Sequence, residues 1–411
     1  MVLSGTGSDG AVGIRAIKGE GDVVMVQSPE STEFDGMPRS AISTAIVDYV
    51  LPPEEMAEAL ISYTTQTLRG TSAESGLSDH TPDTEKTGTD GMDESDGKIL
   101  GLLRQHNGHD FSYYKSSTVR RRIERRMALL EIDEIEAYVA YAQRKSEELD
   151  ALFRDLLIGV VHFFGNAESF AAFEKLIVPK LFVGKRSGDP VRVWTAGCST
   201  GEEAYSIAIS LHEYMETLPE NYNLQVFASD MAAQAIAVAR SGIYPASTAA
   251  DVRHDRLSRY FTEESFTPEG IPESYRINRE IRDVMIFSEQ NVIKDPPFSN
   301  IDLLSCRNLL IYLNSDLHEK LIPLFHYALR PAGFLFLGTS ESIGDYTDLF
   351  DTLDRKAKLY QRKESARAGH RGSRPLQYSH DGPKRAGSRT DTFPAQSGTG
   401  GYDRPAIGST R

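Results

Sequence analysis

The stretch Val191–Ile209, VRVWTAGCSTGEEAYSIAI, reads as a strand, a glycine-containing loop and the first turns of a helix. Ligands of open α/β sheets bind at the carboxyl ends of strands, and this loop lies at such an end. Gly197 and Gly201 allow the backbone to turn sharply and to approach a ligand closely. The stretch therefore predicts both a strand–loop–helix unit and a ligand site.

The charge of this loop indicates what kind of ligand it can bind. The spacing is not G-x-G-x-x-G, and no lysine follows the second glycine, so a phosphate-binding loop is not indicated. Glu202 and Glu203 open the helix, where carboxylates repel a phosphate and favour a ligand with positive charge. Spacing alone leaves the alternative open that both glutamates only stabilise the helix dipole.

Three further strand-like runs alternate with helical patterns: Leu224–Phe227, Ile301–Leu304 and Phe334–Leu337. This alternation predicts an α/β fold with a doubly wound sheet. Asp230 follows the first of these runs, where an acid can accept hydrogen bonds from ribose hydroxyls, although it can equally cap the next helix. A glycine loop, a helix-opening carboxylate and a ribose-type acid together fit S-adenosylmethionine (SAM).

Composition limits the classes of protein to consider. The chain has 411 residues and a formal net charge of −14, so nucleic acid is not an expected partner. No apolar run approaches the roughly 18–20 residues that span a bilayer, so no membrane insertion is expected. The chain has two cysteines, Cys198 and Cys306, which excludes a disulfide scaffold and fits a reducing cytoplasm. No metal site is expected.

The sequence also predicts how the chain is divided. We expect a short α/β segment over residues 1–70, an acidic flexible linker over 71–97 and a helical domain over 98–157. The doubly wound domain then covers 158–363, and a disordered basic tail covers 364–411.

Two motifs resemble the chemotaxis receptor methyltransferases (the CheR family): Ala196–Glu203, AGCSTGEE, and Ser305–Tyr312, SCRNLLIY. Four further stretches agree, namely Phe227–Asp230, Ser241–Pro245, Phe287–Val292 and Leu337–Ser342. The resemblance covers roughly residues 99–363. It implies SAM as the cofactor and methylation of glutamate side chains on acidic helices of methyl-accepting receptors.

The same resemblance implies roles for individual residues. It places the cofactor contacts at Glu203, Asp230, Asn291, Val292, Arg307 and Asn308, with Gly197, Ser199 and Gly201 shaping the loop. It also places Tyr312 near the transferred methyl group. From the residues alone, Tyr312 can equally be a buried aromatic whose hydroxyl is satisfied.

One motif departs from the family. Family members usually carry Asn-x-Thr-x-Phe-Phe-Arg before the sheet, whereas the Asn, Thr and Arg positions are here Gly159, Val161 and Gly165. The missing arginine matters most, because a charge-assisted contact to the cofactor contributes about 1.5–3 kcal/mol. His162 lies beside the gap, although an ordinary histidine is the simpler interpretation. Two alternatives follow: a catalytically impaired regulator that binds SAM or a receptor, or a product that no longer binds anything.

A basic segment, KSSTVRRRIERRM, runs from Lys115 to Met127. Its apolar residues repeat every four positions and predict a helix. Lys115, Arg122, Arg125 and Arg126 match the basic helix of the family and are predicted to bind an acidic receptor helix. The alternative is a solvated face that nearby glutamates balance.

The N-terminal segment resembles a different family. Ser4–Ala11 and Phe34–Ala41 resemble the last part of a chemotaxis receptor methylesterase (CheB family) catalytic domain, and Asp9 matches its triad aspartate. No histidine precedes His80, so the segment cannot assemble a Ser-His-Asp triad alone. We therefore expect a truncated esterase fragment in which Asp9 is a residual turn residue.

Overall fold

A computed structural model describes residues 1–7, 10, 13–14, 17–18, 22–44, 47–72, 94–157, 161–266, 270 and 272–364. The predictions for Asp9, for Gly159, for most of the acidic linker and for nearly all of the basic tail lie outside these residues. Among the described helices, none combines the length and the apolar character needed to cross a membrane.

The N-terminal segment is a small α/β unit. Its elements are β1 (Met25–Gln27), α1 (Gly36–Ser43), β2 (Tyr49–Leu51) and α2 (Pro53–Ser72), with a 3-10 turn at Pro29–Ser31. The two strands pair in parallel. A small apolar core that includes Val2, Val24 and Val26 holds the unit together.

Four helices form the next region: α3 (Glu94–Asn107), α4 (Ser116–Leu129), α5 (Ile135–Arg144) and α6 (Ser146–Leu156). The predicted helical domain is therefore confirmed, but the predicted linker extends too far. Helix α3 already begins at Glu94, and Asp96 is buried. An ion pair of 2.9 Å with Arg120 compensates this buried carboxylate, which is why an acidic stretch can still join a packed helix.

The remaining elements alternate between strands and helices. The strands are β3 (Pro190–Ala196), β4 (Asn223–Asp230), β5 (Ile243–Pro245), β6 (Phe261–Phe266), β7 (Pro272–Ile277), β8 (Met285–Glu289), β9 (Ile301–Cys306), β10 (Leu329–Leu337), β11 (Phe350–Asp354) and β12 (Leu359–Arg362). The helices are α7 (Ala167–Leu176), α8 (Glu202–Met215), α9 (Ala233–Ser241), α10 (His254–Tyr260), α11 (Arg279–Arg282) and α12 (Ser315–Ala328). Short 3-10 helices cover Val178–Phe182, Ala246–Ala250 and Leu310–Tyr312.

Seven of these strands form the central sheet, in the order β11-β12-β10-β9-β3-β4-β8. Strands β10, β9, β3, β4 and β8 are parallel, and β12 is antiparallel to both of its neighbours. The carboxyl ends of the five parallel strands therefore lie along one edge of the sheet. The predicted doubly wound α/β sheet is confirmed, and the antiparallel trio β5-β7-β6 adds a smaller sheet that was not predicted from the sequence.

Strand β3 shows why the sheet is buried on both faces. Val191 and Val193 belong to one apolar cluster, whereas Trp194 and Ala196 belong to another. Side chains alternate across a strand, so these apolar residues cover both faces of the sheet. The second cluster also includes residues of the helical region, which places that region against the sheet.

Candidate cofactor site

A cavity opens at the carboxyl edge of the central sheet. Its lining comes from the loops after β3, β4, β8 and β9 and from the helical region: Tyr114, Leu156, Leu157, Gly197, Ser199, Ser229, Asp230, Met231, Gln290, Asn291, Val292, Ile293, Asn308, Leu309, Tyr312 and Leu313. Seven of the residues named from the sequence thus meet in one cavity.

The loop after β3 has the backbone geometry that its glycines suggested. Gly197 has a φ of 71° and Gly201 a φ of 94°, both in the region that favours glycine. A Cβ at Gly201 would lie 2.9 Å from the Cβ of Ala239, so α8 and α9 approach each other closely there. Gly201 therefore shapes the loop from behind, and it is not among the residues that line the cavity.

Asp230, at the end of β4, joins two loops of the site. One carboxylate oxygen accepts a hydrogen bond from the Ser199 N–H at 2.8 Å, and the other accepts one from the Ala232 N–H at 2.9 Å. Burial raises the pKa of Asp230, and these backbone donors oppose the shift. Each oxygen retains acceptor capacity, which two neighbouring hydroxyls of a ribose could use.

The loop after β8 is held by its own hydrogen bonds and by the helical region. The Asn291 N–H donates to Asp295 at 2.7 Å, and the Asn291 side-chain oxygen accepts from the Ile293 N–H at 2.9 Å. The amide nitrogen of Asn291 therefore faces Nδ1 of His109, at 3.3 Å. Since that nitrogen can only donate, the Nδ1 of His109 is the acceptor and its Nε2 carries the proton.

The loop after β9 brings the last two predicted residues to the cavity. Asn308 has a φ of 62°, and Tyr312 ends the 3-10 turn that follows it. The helical region braces this turn, because the Lys115 N–H donates to the Tyr312 carbonyl at 2.9 Å. Tyr114, from the same region, lies in the cavity wall, and burial raises the pKa of its hydroxyl.

Comparison with known proteins identifies the family. The CheR methyltransferase SAM-binding domain matches residues 160–359, and the CheR methyltransferase all-alpha domain matches residues 97–157. The chemotaxis protein methyltransferase of Salmonella typhimurium is 31% identical over 255 residues, which are 60% of this chain and 83% of that protein. The chain belongs to the CheR methyltransferase family.

Two further relatives extend this result. The chemotaxis protein methyltransferase of Escherichia coli is 30% identical over 64% of this chain and 86% of its own length. An uncharacterized 104.1 kDa protein of Rhodobacter capsulatus is 35% identical over 88% of this chain, but this chain spans only 38% of that protein. The CheB methylesterase model matches residues 1–60, as the N-terminal motifs indicated.

SAM is the cofactor of this CheR domain, and the cavity fits it. The apolar wall suits a nucleoside, and Asp230 offers acceptors at the position expected for a ribose. Asn291, Val292 and Asn308 line the same cavity. Tyr114, Leu156 and Leu157 also line the cavity, come from the helical region and were not predicted from the sequence. They lie next to predicted helix boundaries, but no local sequence pattern indicates that they contact the sheet.

Glu203 and Arg307 form a buried pair behind the cavity and not in its wall. The Glu203 carboxylate accepts from the Ser305 hydroxyl at 2.6 Å and lies 3.6 Å from the Arg307 guanidinium. Burial raises the pKa of Glu203, and Arg307 and Ser305 oppose that shift. The arginine also packs over the rings of Phe170 and Phe336.

Arg307 reaches the position where CheR proteins usually carry another arginine. Its Nη2 donates to the carbonyl oxygen of Gly165 at 3.0 Å. Its Nε is buried and has no hydrogen-bond partner among the described atoms. A guanidinium group is thus present beside the altered motif. Val161 and His162 are half-buried, and neither lines the cavity. The Nδ1 atom of His162 lies 3.4 Å from Oδ2 of Asp251.

Two of the three α4 arginines that were predicted to bind a receptor helix are not accessible to one in this structure. Arg122 and Arg125 are buried, with 2% and 3% of their surfaces exposed. Arg125 forms ion pairs with Asp155 and Asp48, and Arg126 pairs with Glu148.

These ion pairs have a physical cause. Carboxylates of α6 and of the N-terminal segment lie against α4, and a buried arginine is stable only when it is paired. Arg122 also donates to the Lys18 carbonyl of the N-terminal segment at 3.0 Å. Lys115 is exposed and remains available to a partner.

Proposed function

We propose that this protein transfers the methyl group of SAM to glutamate side chains of chemotaxis-type receptors in the cytoplasm. The observation that carries the proposal is the cavity in which Asp230, Asn308 and Tyr312 meet at the carboxyl edge of the sheet. Membership of the CheR family and the chemotaxis methyltransferases among the relatives support it. The two buried free thiols fit a reducing compartment.

Bound SAM supplies an electrophilic methyl group next to a positively charged sulfur. A receptor glutamate is already ionised near neutral pH, so its oxygen can attack without a general base. The protein therefore needs to align the reacting atoms and exclude water. In this proposal Asp230 holds the ribose, Asn291 and Val292 border the adenine, and Tyr312 orients the incoming carboxylate.

The buried pair behind the cavity completes this assignment. Glu203 would supply negative charge to the cofactor site from behind the loop that carries Gly197 and Ser199, since it does not line the cavity itself. Arg307 does not line the cavity, and it would compensate for the arginine missing at position 165 by holding Glu203 and the Gly165 carbonyl behind the cofactor. Attack neutralises the carboxylate and the sulfonium together, so strong ionic stabilisation of both would not accelerate the reaction.

The alternative function is that of an impaired regulator that binds SAM or a receptor without methyl transfer. Val161 and Gly165 are the observations that favour it, because neither offers the polar side chain that the family motif carries. Lys115 would contribute to receptor binding in either case.

Radiolabelled SAM distinguishes the two functions. The full chain is incubated with the cytoplasmic fragment of a methyl-accepting receptor, and base-labile label on that fragment is counted. A fragment with its methylated glutamates changed to glutamine is the control. We expect label on the first fragment only. Binding of S-adenosylhomocysteine (SAH) without any label would support the regulator and refute the proposed activity.

A further inference from the structure

Glu341 is a buried carboxylate that lies next to the candidate site but not in the cavity wall. Only 3% of its surface is exposed. Among the described residues no cation forms an ion pair with it, which is unusual for a buried acid. Its charge is instead balanced by backbone N–H groups.

These donors come from two different loops. Oε1 of Glu341 accepts a hydrogen bond from the Leu310 N–H at 2.8 Å, and Oε2 accepts one from the Gly338 N–H at 2.6 Å. Burial raises the pKa of Glu341, and the N–H groups of Gly338, Leu310, Asn308 and Ile311 oppose the shift. The carboxylate thus ties the loop after β9 to the loop after β10.

The loop after β9 carries Asn308 and Tyr312, two residues of the cavity wall. Asn308 has a positive φ of 62°, a conformation that costs energy for a residue with a side chain and persists only when its surroundings enforce it. Gly338 contributes to the fit, because a Cβ there would lie 2.7 Å from Oε2 of Glu341 and 3.0 Å from Oδ1 of Asn308.

We propose that Glu341 is a positioning residue that holds the loop over residues 307–312 in the conformation that places Asn308 and Tyr312 in the cavity. This inference rests on the proposed function for its catalytic consequence, but its effect on the cofactor cavity does not. Glutamine at position 341 has the same length. It would turn an –NH₂ group toward one of the two backbone N–H groups, so it cannot hold both loops.

Asp302 offers a matched control. It is also a buried carboxylate that accepts a backbone hydrogen bond, from Arg192 at 2.8 Å. It lies at the start of β9, at the opposite edge of the sheet from the cavity, and it is also paired with Lys185 and Arg330. Asp302→Asn should therefore disturb folding at least as much as Glu341→Gln, without reaching the site.

The experiment compares the wild-type chain with E341Q and D302N, each in full length. SAH affinity is measured by calorimetry, methyl transfer by the receptor assay, and unfolding by thermal melts, at a temperature where all three are folded. We expect E341Q to weaken SAH binding by about ten-fold or more and to lower kcat. D302N should melt earlier but keep SAH affinity and kcat within about two-fold.

Two results would overturn the inference. One is a folded E341Q protein with wild-type SAH affinity and kcat. The other is a loss of affinity in D302N equal to that in E341Q, which would show a general loss of stability. If the wild-type chain binds SAH but never methylates, the proposed activity fails, and SAH affinity alone still decides the role of Glu341.

Discussion

Asp230 allows the sharpest test of the cofactor site, because its two carboxylate oxygens have separate structural partners. The substitution Asp230→Asn keeps the shape of the side chain. One oxygen still accepts a backbone hydrogen bond, but the other becomes an –NH₂ group that faces a second N–H donor. It also removes the negative charge that would accept hydrogen bonds from a ribose.

The expected magnitude follows from these contacts. A hydrogen bond to a charged group contributes about 1.5–3 kcal/mol. Loss of the bond to the backbone should therefore lower the free energy of unfolding by about 1.5–3 kcal/mol. Loss of a comparable bond to the ribose should weaken SAH binding by about 10- to 150-fold, since 1.4 kcal/mol corresponds to a factor of ten.

Calorimetric titration of the full chain with SAH measures the affinity, and urea denaturation measures the stability. Asp354→Asn is the control, because Asp354 also accepts a backbone hydrogen bond, from Ala357 at 2.8 Å, but lies on the edge strand β11. The control should keep SAH affinity. A folded D230N protein that binds SAH within two-fold of the wild type would refute the ribose assignment and the reasoning behind it.

Three further predictions concern the surroundings of the site. Gly201→Ala should lower the melting temperature and weaken SAH binding, because the glycine has a φ of 94° and its new Cβ would clash with α9. Burial lowers the pKa of His109, so the folded protein favours the neutral imidazole. The stability that this contributes is fully present above the ordinary histidine pKa of 6.5, and it is lost as the pH falls through the lowered pKa. SAH affinity should fall over that range, and His109→Gln, which still offers an acceptor to Asn291, should remove the pH dependence. Arg125→Gln should cost about 3–5 kcal/mol of unfolding free energy in urea, whereas Arg121→Gln at an exposed position should cost little.

Much of the central fold was predictable because the signals are local. Strand β3 is a mostly apolar run, and a glycine loop and an acidic helix start follow it directly. The loop after β3 and Asp230 follow from the rule that ligands bind at the carboxyl ends of strands, whereas Asn291, Val292, Asn308 and Tyr312 were predicted from the resemblance to the CheR family. The antiparallel strands β6 and β7 gave no such signal. They are largely polar, and an ion pair between Glu264 and Arg276 links them across the sheet.

The part of the site that could not be predicted depends on contacts between distant segments. Glu341 reaches Leu310 across 31 positions, and His109 reaches Asn291 across 182. No periodicity or motif records such a pair. Arg125 was misinterpreted for the same reason. A cluster of arginines in an acidic chain suggested an exposed face, but the carboxylates that pair with Arg125 lie 30 and 77 positions away in the sequence.

The helical region connects the two parts of the proposed function. The Lys115 N–H is bonded to the Tyr312 carbonyl, and the backbones of Tyr114 and Leu313 pair in an isolated β-bridge. The exposed Lys115 side chain therefore begins directly beside the loop that carries Tyr312. A receptor helix that binds there by charge would bring its glutamates to the edge of the cavity. The arginines of α4 would serve this encounter indirectly, since their ion pairs keep the helix, and with it Lys115, in place against the sheet.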